Sequence, residues 1–280
     1  MNNGKIALVT LVVATLAVTA RTAHADCPTA GHCSATECEF RCTDTAEYIV
    51  FGKISCGGDT AKPGVCRWNR DKTTFLDYTR ESTYNAAKWI VGAWGGGDLV
   101  RLASRSGESC GGSCTVDGDI DAYDTFLFYG DDGDDYLYLC ATTSEPSASD
   151  CIAGGSADGL GDSDHVYGSV YADYLWGGDG VDYLYGYEER DVIHGGAGDD
   201  RLYGHEYCDY LAGDESVGDY DRCYCGPGGG TQEGETADCE YEYDCDPYCM
   251  SLWGTADSPM SAGDEPMGSE ANVSCFPRDR

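Results

Sequence analysis

The chain has 280 residues, of which 50 are acidic and 17 basic, so its formal charge at pH 7 is −33. So large a negative charge opposes binding to nucleic acid or anionic lipid, and it opposes compaction of the chain until cations bind. The 39 glycines and 17 cysteines indicate a turn-rich chain that is cross-linked by disulfides in an oxidising compartment.

Residues 1–25 have the pattern of a secretory signal peptide. Lys5 precedes an apolar run over 6–20, and Ala23-His24-Ala25 provides a cleavage site. The run of about fifteen apolar residues is shorter than the ~20 that a membrane-spanning helix needs, and no later segment is apolar enough to cross a bilayer. We therefore expect a secreted protein without a membrane span, located outside the cell or at a bacterial cell surface or periplasm.

Residues 26–90 form the next segment, which we predict to be a Cys-rich N-terminal cap. Six cysteines within about forty residues favour a small disulfide-stapled unit, although their spacing leaves the pairing open. The cysteines are Cys27, Cys33, Cys38, Cys42, Cys56 and Cys66. One β-strand is predicted over 48–54, where β-branched and aromatic residues are concentrated.

Residues 91–158 are predicted to form an irregular β region. A glycine-rich turn that ends at Asp98 precedes a strand over 99–102, and further strands are predicted over 125–129 and 136–139. The segment 141–158, rich in Ser, Ala and Gly, is predicted to be a loop excursion that a disulfide between Cys140 and Cys151 closes.

Residues 159–240 are dominated by a nine-residue repeat. Six consecutive frames have glycine at position one, aspartate at position six and an aliphatic residue at position eight. The frames are GLGDSDHVY, GSVYADYLW, GGDGVDYLY, GYEERDVIH, GGAGDDRLY and GHEYCDYLA, from Gly159 to Ala212. A fixed short period of this kind is typical of a β-solenoid. The predicted fold is therefore all-β, a parallel β-roll with a disulfide-rich N-terminal cap.

The period also predicts where the side chains point. Glycine opens the turn because it reaches positive φ without steric cost, and positions seven to nine form a short strand. Positions six and eight then face inward together. Two frames make one coil of eighteen residues, so alternate aspartates stack about 4.8 Å apart. Two carboxylates at that distance repel by about 3 kcal/mol at an effective dielectric constant near 20. A hard cation such as Ca²⁺ between them would remove this repulsion.

The repeat resembles the RTX, or haemolysin-type, calcium-binding nonapeptide. The frame from Gly177 to Tyr185 has every specified residue of the pattern G-G-x-G-x-D-x-aliphatic-x, and the frame that opens at Gly195 also has them all. An isolated earlier frame, 130–138, lacks only the second glycine. The resemblance implies a parallel β-roll in which position-six aspartates and turn carbonyls hold Ca²⁺ between successive coils.

The resemblance implies calcium ligands on both edges of the roll. The expected metal-binding residues are Asp164, Asp182 and Asp200 on one edge, Asp173, Asp191 and Asp209 on the other, Asp135 in the isolated frame, and the turn residues Gly178, Gly180, Gly196 and Gly198. On the second edge Tyr171, Glu189 and Tyr207 replace the position-four glycine. We therefore expect that the aspartates of that edge either bind calcium more weakly or serve only as turn-capping acceptors.

Tyrosines at position nine should face outward. Tyr167, Tyr185 and Tyr203 are predicted to form an aromatic ladder, which either stacks for structural reasons or binds an extracellular glycan or other surface component. Residues 241–280 are expected to be a Cys-containing C-terminal extension. The predicted function is calcium binding in a structural or adhesive secreted protein that folds on calcium after export.

The alternative function is a secreted, calcium-dependent hydrolase with catalytic residues in 26–125. The string from Gly107 to Gly111 fits a nucleophile elbow, but no buried strand precedes it and no helix is predicted to follow it. A disulfide-bearing loop explains the string better. We therefore expect an enzyme less than a binding or structural protein.

Overall fold

The computed structural model describes residues 37–42, 45–80, 88–119, 125–141, 151, 155–207, 209–213, 219–224, 236–238 and 241–243. These residues contain twenty β-strands and no helix, which confirms the all-β prediction. It follows that no helix in this part of the chain could cross a bilayer. The predicted signal peptide and most of the C-terminal extension lie outside the described residues.

The strands are numbered in chain order. They are β1 Glu37–Arg41, β2 Glu47–Cys56, β3 Lys62–Asn69, β4 Phe75–Arg80, β5 Lys88–Gly92, β6 Leu99–Leu102, β7 Glu108–Ser109, β8 Cys114–Asp117, β9 Thr125–Asp131, β10 Tyr136–Tyr138, β11 Gly155–Gly161, β12 His165–Tyr167, β13 Tyr174–Asp179, β14 Tyr183–Tyr187, β15 Val192–Ala197, β16 Arg201–His205, β17 Tyr210–Ala212, β18 Arg222–Tyr224, β19 Thr236–Asp238 and β20 Tyr241–Tyr243. The strands predicted over 48–54, 99–102, 125–129 and 136–139 are confirmed within one or two residues.

From β9 onward, successive strands alternate between two sheets. The first sheet has the order β1-β5-β9-β11-β13-β15-β17-β19, and the second runs from β20 through β18, β16, β14, β12, β10, β6, β2 and β3 to β4. Strands of the repeat segment pair in parallel with a register of eighteen residues, as between Leu184 and Leu202 or Leu175 and Ile193. This register confirms that two nonapeptides make one complete turn of the chain.

The position-eight side chains form the core between the two sheets. Each pairs with its equivalent one turn away, so that two columns of apolar side chains face each other and exclude water. The columns are Val91, Phe128, Ala157, Leu175, Ile193 and Leu211 in the first sheet, and Val100, Leu137, Val166, Leu184 and Leu202 in the second. All these side chains are fully buried, as the predicted inward direction of position eight requires.

Antiparallel strands extend the second sheet at its N-terminal end. β2 pairs with β3, β3 with β4, and β8 with both β2 and β7. A separate core of Val50, Ile54, Trp68 and Val116 lies beneath these strands. The disulfides Cys56–Cys114 and Cys66–Cys110 cross it. This antiparallel unit is called the cap below.

The predicted disulfide between Cys140 and Cys151 is also present. It closes a loop across a sequence separation of 11 residues, and both cysteines are buried against Val170. Such a cross-link removes chain entropy from the unfolded state. It therefore closes the chain between Cys140 and Cys151 beside the frame that opens at Gly168, whereas residues 155–158 of the predicted loop belong instead to β11.

Candidate calcium site

Every position-six aspartate of the repeat is completely buried. The six residues are Asp164, Asp173, Asp182, Asp191, Asp200 and Asp209, and each has 0% exposure. Aspartate is rarely buried unless its charge is compensated. The arrangement therefore concentrates negative charge inside the molecule, where water cannot screen it.

A hydrogen-bond ladder holds the aspartates of the first edge in register. The backbone N–H of Asp164 donates to Oδ1 of Asp182 at 2.7 Å, and that of Asp182 donates to Oδ1 of Asp200 at 2.8 Å. The N–H of Asp135 donates to Oδ1 of Asp164 at 2.8 Å in the same way. One carboxylate oxygen of each residue is thus used to join successive turns.

The other carboxylate oxygen on this edge is buried without a hydrogen bond. Among the described residues, Oδ2 of Asp135, Asp164, Asp182 and Asp200 has no partner. A Cβ on the position-one glycines Gly130, Gly159, Gly177 or Gly195 would press on this oxygen. The repeat therefore needs glycine at position one to leave room beside Oδ2. The prediction that this glycine supplies positive φ is wrong, because positive φ occurs at positions two and four. A buried, unsatisfied anionic oxygen is the group that a cation would stabilise.

Burying the carboxylates of the first edge raises their pKa values, because burial disfavours the charged form. Burial, followed by the charges of neighbouring aspartates, raises the pKa of Asp164 to about 9 and that of Asp200 to about 8. Burial likewise raises the pKa of Asp182 to about 7. Binding of a proton or a cation would therefore offset the cost of burying these carboxyls.

In the turns of the first edge, backbone carbonyl groups of one turn lie directly against the next turn. Gly178 and Gly180 have φ of 117° and 142°, and Gly196 and Gly198 have φ of 104° and 137°. A Cβ at Gly180 would overlap the carbonyl oxygen of Asp162, and a Cβ at Gly198 would overlap that of Gly180. Glycine at these positions is therefore required both by the backbone conformation and by the close stacking of successive turns.

The second edge has a similar ladder but differs in detail. The N–H of Asp173 donates to Oδ1 of Asp191, and that of Asp191 donates to Oδ1 of Asp209, both at 2.8 Å. Oδ2 of Asp191 is buried without a partner, whereas Oδ2 of Asp173 accepts the Ser169 N–H at 2.6 Å. Burial raises the pKa of Asp173 to about 7.

The turns of the second edge form even though they lack the repeat glycines. Glu189 and Tyr207 occupy position four with φ of 68° and 78°, and Tyr187 and His205 occupy position two with φ of 83° and 77°. Glycine is therefore not required for this turn in these two frames. The left-handed conformation costs a non-glycine residue about 1–2 kcal/mol, which other interactions of the folded chain must offset.

These donors fit a calcium ion better than a transition metal. The described residues contain no group of three or more His, Cys, Asp or Glu side chains arranged to hold a metal. A bound ion would therefore take carboxylate oxygens from two successive turns and complete its shell with turn carbonyl groups. An all-oxygen shell that includes backbone carbonyls is typical of Ca²⁺.

The structure adds two aspartates that the nonapeptide pattern missed. The N–H of Asp98 donates to Oδ1 of Asp135 at 2.6 Å, and that of Asp200 donates to Oδ1 of Asp221 at 2.9 Å. Ala93 replaces glycine at position one before Asp98, and the frame that opens at Gly213 reaches Asp221 with three extra residues. The glycine-rich stretch before Asp98 was the only sequence signal for the first of them.

The nucleophile-elbow string does not form a catalytic turn. Ser109 lies in the two-residue strand β7, which pairs with β8, and Cys110 is fully buried in its disulfide with Cys66. The string is thus part of a disulfide-bonded hairpin of the cap. This explains its glycines and cysteine without a nucleophile.

The predicted tyrosine ladder is present on the outer face of the second sheet and is longer than expected. It consists of Tyr138, Tyr167, Tyr185, Tyr203 and Tyr224, with ring centroids 4.4–4.8 Å apart and interplanar angles of 2–7°. A parallel column at position seven stacks Tyr136, His165 and Tyr183, and Arg201 lies over the last ring. The rings cover one another's faces, so the column presents mainly ring edges and hydroxyl groups to solvent.

The strand register and the aspartate columns define an all-β repeat protein with buried carboxylates stacked at intervals of eighteen residues. Residues 158–188 and 182–206 match the RTX calcium-binding nonapeptide repeat, in four copies. The repeat segment is therefore built of RTX calcium-binding repeats, as its sequence indicated. No curated protein and no solved structure shows a significant match to the chain.

Proposed function

We propose that the chain is a secreted calcium-binding protein whose alternating parallel strands form a β-roll, closed at its N-terminal end by the disulfide-linked cap. Its role is structural or adhesive, and its repeat segment folds when calcium binds after export. Position-six aspartates of both edges hold the ions together with the turn carbonyl groups, and the first edge binds more tightly.

The main support for this proposal is the set of buried Oδ2 atoms on the first edge. In Asp164, Asp182 and Asp200 one oxygen is used by the ladder and the other is buried without a partner in the described residues. A bound cation would satisfy these atoms. The millimolar calcium outside cells supplies the cation, because extracellular calcium sites have dissociation constants of about 10⁻⁴–10⁻³ M.

Secretion is supported by the disulfides and by the signal-peptide pattern of 1–25. Three disulfides join described residues, and such bonds persist in oxidising compartments. A chain that needs calcium to neutralise its core would also stay unfolded in a cytosol that is poor in calcium. Export would thus come before folding of the repeat segment.

The stacked tyrosines favour a structural role over sugar binding through ring faces. A glycan packs on an aromatic ring by covering its face, but the faces of Tyr167, Tyr185 and Tyr203 are covered by neighbouring rings. If the protein is adhesive, its partner would contact the hydroxyl groups and edges of this column. The proposal therefore has two parts, first calcium-dependent folding and second adhesion to an extracellular surface component.

The test is circular dichroism of the full chain with its disulfides intact. Strand signal should increase with calcium and saturate, and excess chelator should reverse the change. Magnesium at the same concentration is the control, since it loses its water shell reluctantly and suits an irregular carbonyl cage poorly. An identical spectrum in calcium and in chelator would refute calcium-dependent folding.

A further inference from the structure

The hydrogen-bonded series Asp135, Asp164, Asp182 and Asp200, called the aspartate column below, continues beyond the repeats to the start of the cap. The N–H of Asp98 donates to Oδ1 of Asp135, and the N–H of Glu47, at the start of β2, donates to Oδ1 of Asp98. We propose that the turn before Asp98 and the turn before Asp135 form a further calcium site, which joins the cap to the parallel strands. The identity of the ion rests on the function proposed for the repeats.

The backbone of this junction has the conformation of the repeat turns despite a different sequence. Trp94 and Gly96 have φ of 77° and 88°, and Asp131 and Gly133 in the next turn have φ of 71° and 119°. The Gly96 N–H donates to the carbonyl oxygen of Asp132 at 2.8 Å. In the repeats, the N–H of Gly180 makes the equivalent bond to Ala197 at 2.7 Å.

The stacking of the two turns is also equivalent. A Cβ at Gly133 would lie 2.6 Å from the carbonyl carbon of Gly96 and 2.8 Å from its oxygen. Between repeat turns, a Cβ at Gly180 would overlap the carbonyl of Asp162 in the same way. The Gly96 carbonyl group therefore faces the next turn as a repeat carbonyl does, although no nonapeptide pattern marks the 93–98 turn.

Two anionic oxygens at the junction are available for an ion. Asp98 and Asp135 are both 0% exposed, and in the part of the chain that the structure describes Oδ2 of each has no hydrogen-bond partner. Two carboxylates and a carbonyl oxygen, all hard donors, are the ligands that Ca²⁺ prefers. Two buried carboxylates without a cation would repel each other in a medium of low dielectric constant.

On the other side of Asp98, the series of hydrogen-bonded carboxylates ends at Glu47, whose side chain forms an ion pair with Arg67. Arg67 donates from Nη1 to both carboxylate oxygens of Glu47 at 3.0 and 3.1 Å, and its Nη2 pairs with Asp77. Glu47 therefore needs no metal. The junction site would be the first in the column, and it would make the attachment of β2 to β6 depend on calcium.

The experiment compares full-length variants by native mass spectrometry in calcium. Asp98→Asn keeps the oxygen that accepts the Glu47 N–H but removes the negative charge. Asp132→Asn is the matched control, because it makes the same charge change at an exposed residue. Asp182→Asn reports on the repeat sites. Hydrogen exchange of β2 and β6, with and without calcium, provides a second readout.

We expect Asp98→Asn to bind one calcium ion fewer than the unmodified chain, and Asp132→Asn to bind the same number. Calcium should protect the amides of β2 and β6 in the control but no longer in Asp98→Asn. If Asp182→Asn loses an ion while Asp98→Asn retains them all, the junction site is refuted and the repeat function stands. If neither variant loses an ion, the proposed function fails as well.

Discussion

Replacing Asp182 by asparagine should have opposite effects on stability in chelator and on the response to calcium. Asparagine keeps the Oδ1 that accepts the Asp164 N–H but carries no charge. The pKa of Asp182 is about 7 in the folded chain, against an ordinary value of 3.8. Because the folded state binds this proton more tightly, its contribution to stability is complete below pH 3.8 and is lost as the pH rises through 7.

The difference between these pKa values corresponds to about 4 kcal/mol at a pH above both of them. Without a cation at pH 8, Asp182→Asn should therefore be more stable than the unmodified chain by up to about 4 kcal/mol. At pH 3.5 the two proteins should be nearly equal, because Asp182 is then protonated in the folded state.

Calcium should reverse part of this gain. A site with a dissociation constant of about 10⁻⁴–10⁻³ M contributes about 1.4–2.7 kcal/mol at about 10 mM calcium. Each site lost in Asp182→Asn should reduce the calcium-induced stabilisation by that amount. Circular dichroism in chelator measures the first effect as the strand signal that each protein keeps, and urea unfolding at a series of calcium concentrations measures the second. Asp119→Asn, at an exposed residue outside the repeats, is the control.

Two results would refute this reasoning. If Asp182→Asn were less stable than the unmodified chain in chelator at pH 8, the buried charge would not be what destabilises the calcium-free fold. If the variant kept the full stabilisation by calcium, Asp182 would not be a ligand. The control should change neither quantity by more than about 0.5 kcal/mol, the usual range for a surface substitution.

The remaining predictions concern the two edges, the turn glycines and the tyrosine column. Asp182→Ala should lower the calcium stoichiometry more than Asp191→Ala, because the turns before Asp182 and Asp200 have glycine at positions two and four, whereas the turns before Asp191 and Asp209 hold non-glycine residues there at positive φ; equal losses would contradict this. Gly198→Ala should cost more than about 2 kcal/mol in urea unfolding, from its φ and its overlap with the Gly180 carbonyl. Gly161→Ala, whose Cβ would meet only the Asp131 carbonyl oxygen at 3.5 Å, should cost less than about 1 kcal/mol. Replacing Tyr167, Tyr185 and Tyr203 together by serine breaks four stacked pairs and should cost about 2–6 kcal/mol at 0.5–1.5 per pair. Unchanged stability combined with lost adhesion to a surface component would instead make the column a binding face.

The repeat segment could be predicted from sequence because its information is local and periodic. Asp182 and Leu184 each have one role within nine residues, facing the edge and filling the core. Gly177 was predicted to supply positive φ, but it instead leaves room beside Oδ2 of Asp182, and positive φ occurs at positions two and four. Eighteen residues per coil follow from this pattern, and so does the inward direction of positions six and eight. The tyrosine column follows as well, since identical positions stack once the register is set.

Other features required the tertiary structure. Glu189 and Tyr207 adopt positive φ in the folded chain although their own preference is against it. Asp98 and Asp221 join the column although an alanine at position one and a three-residue insertion break the period. The covering of the tyrosine faces was decided by ring tilt, which a sequence pattern does not record. The pairing of Cys56 with Cys114 and Cys66 with Cys110 was likewise set by antiparallel contacts between strands distant in the chain, because spacing alone allows many pairings.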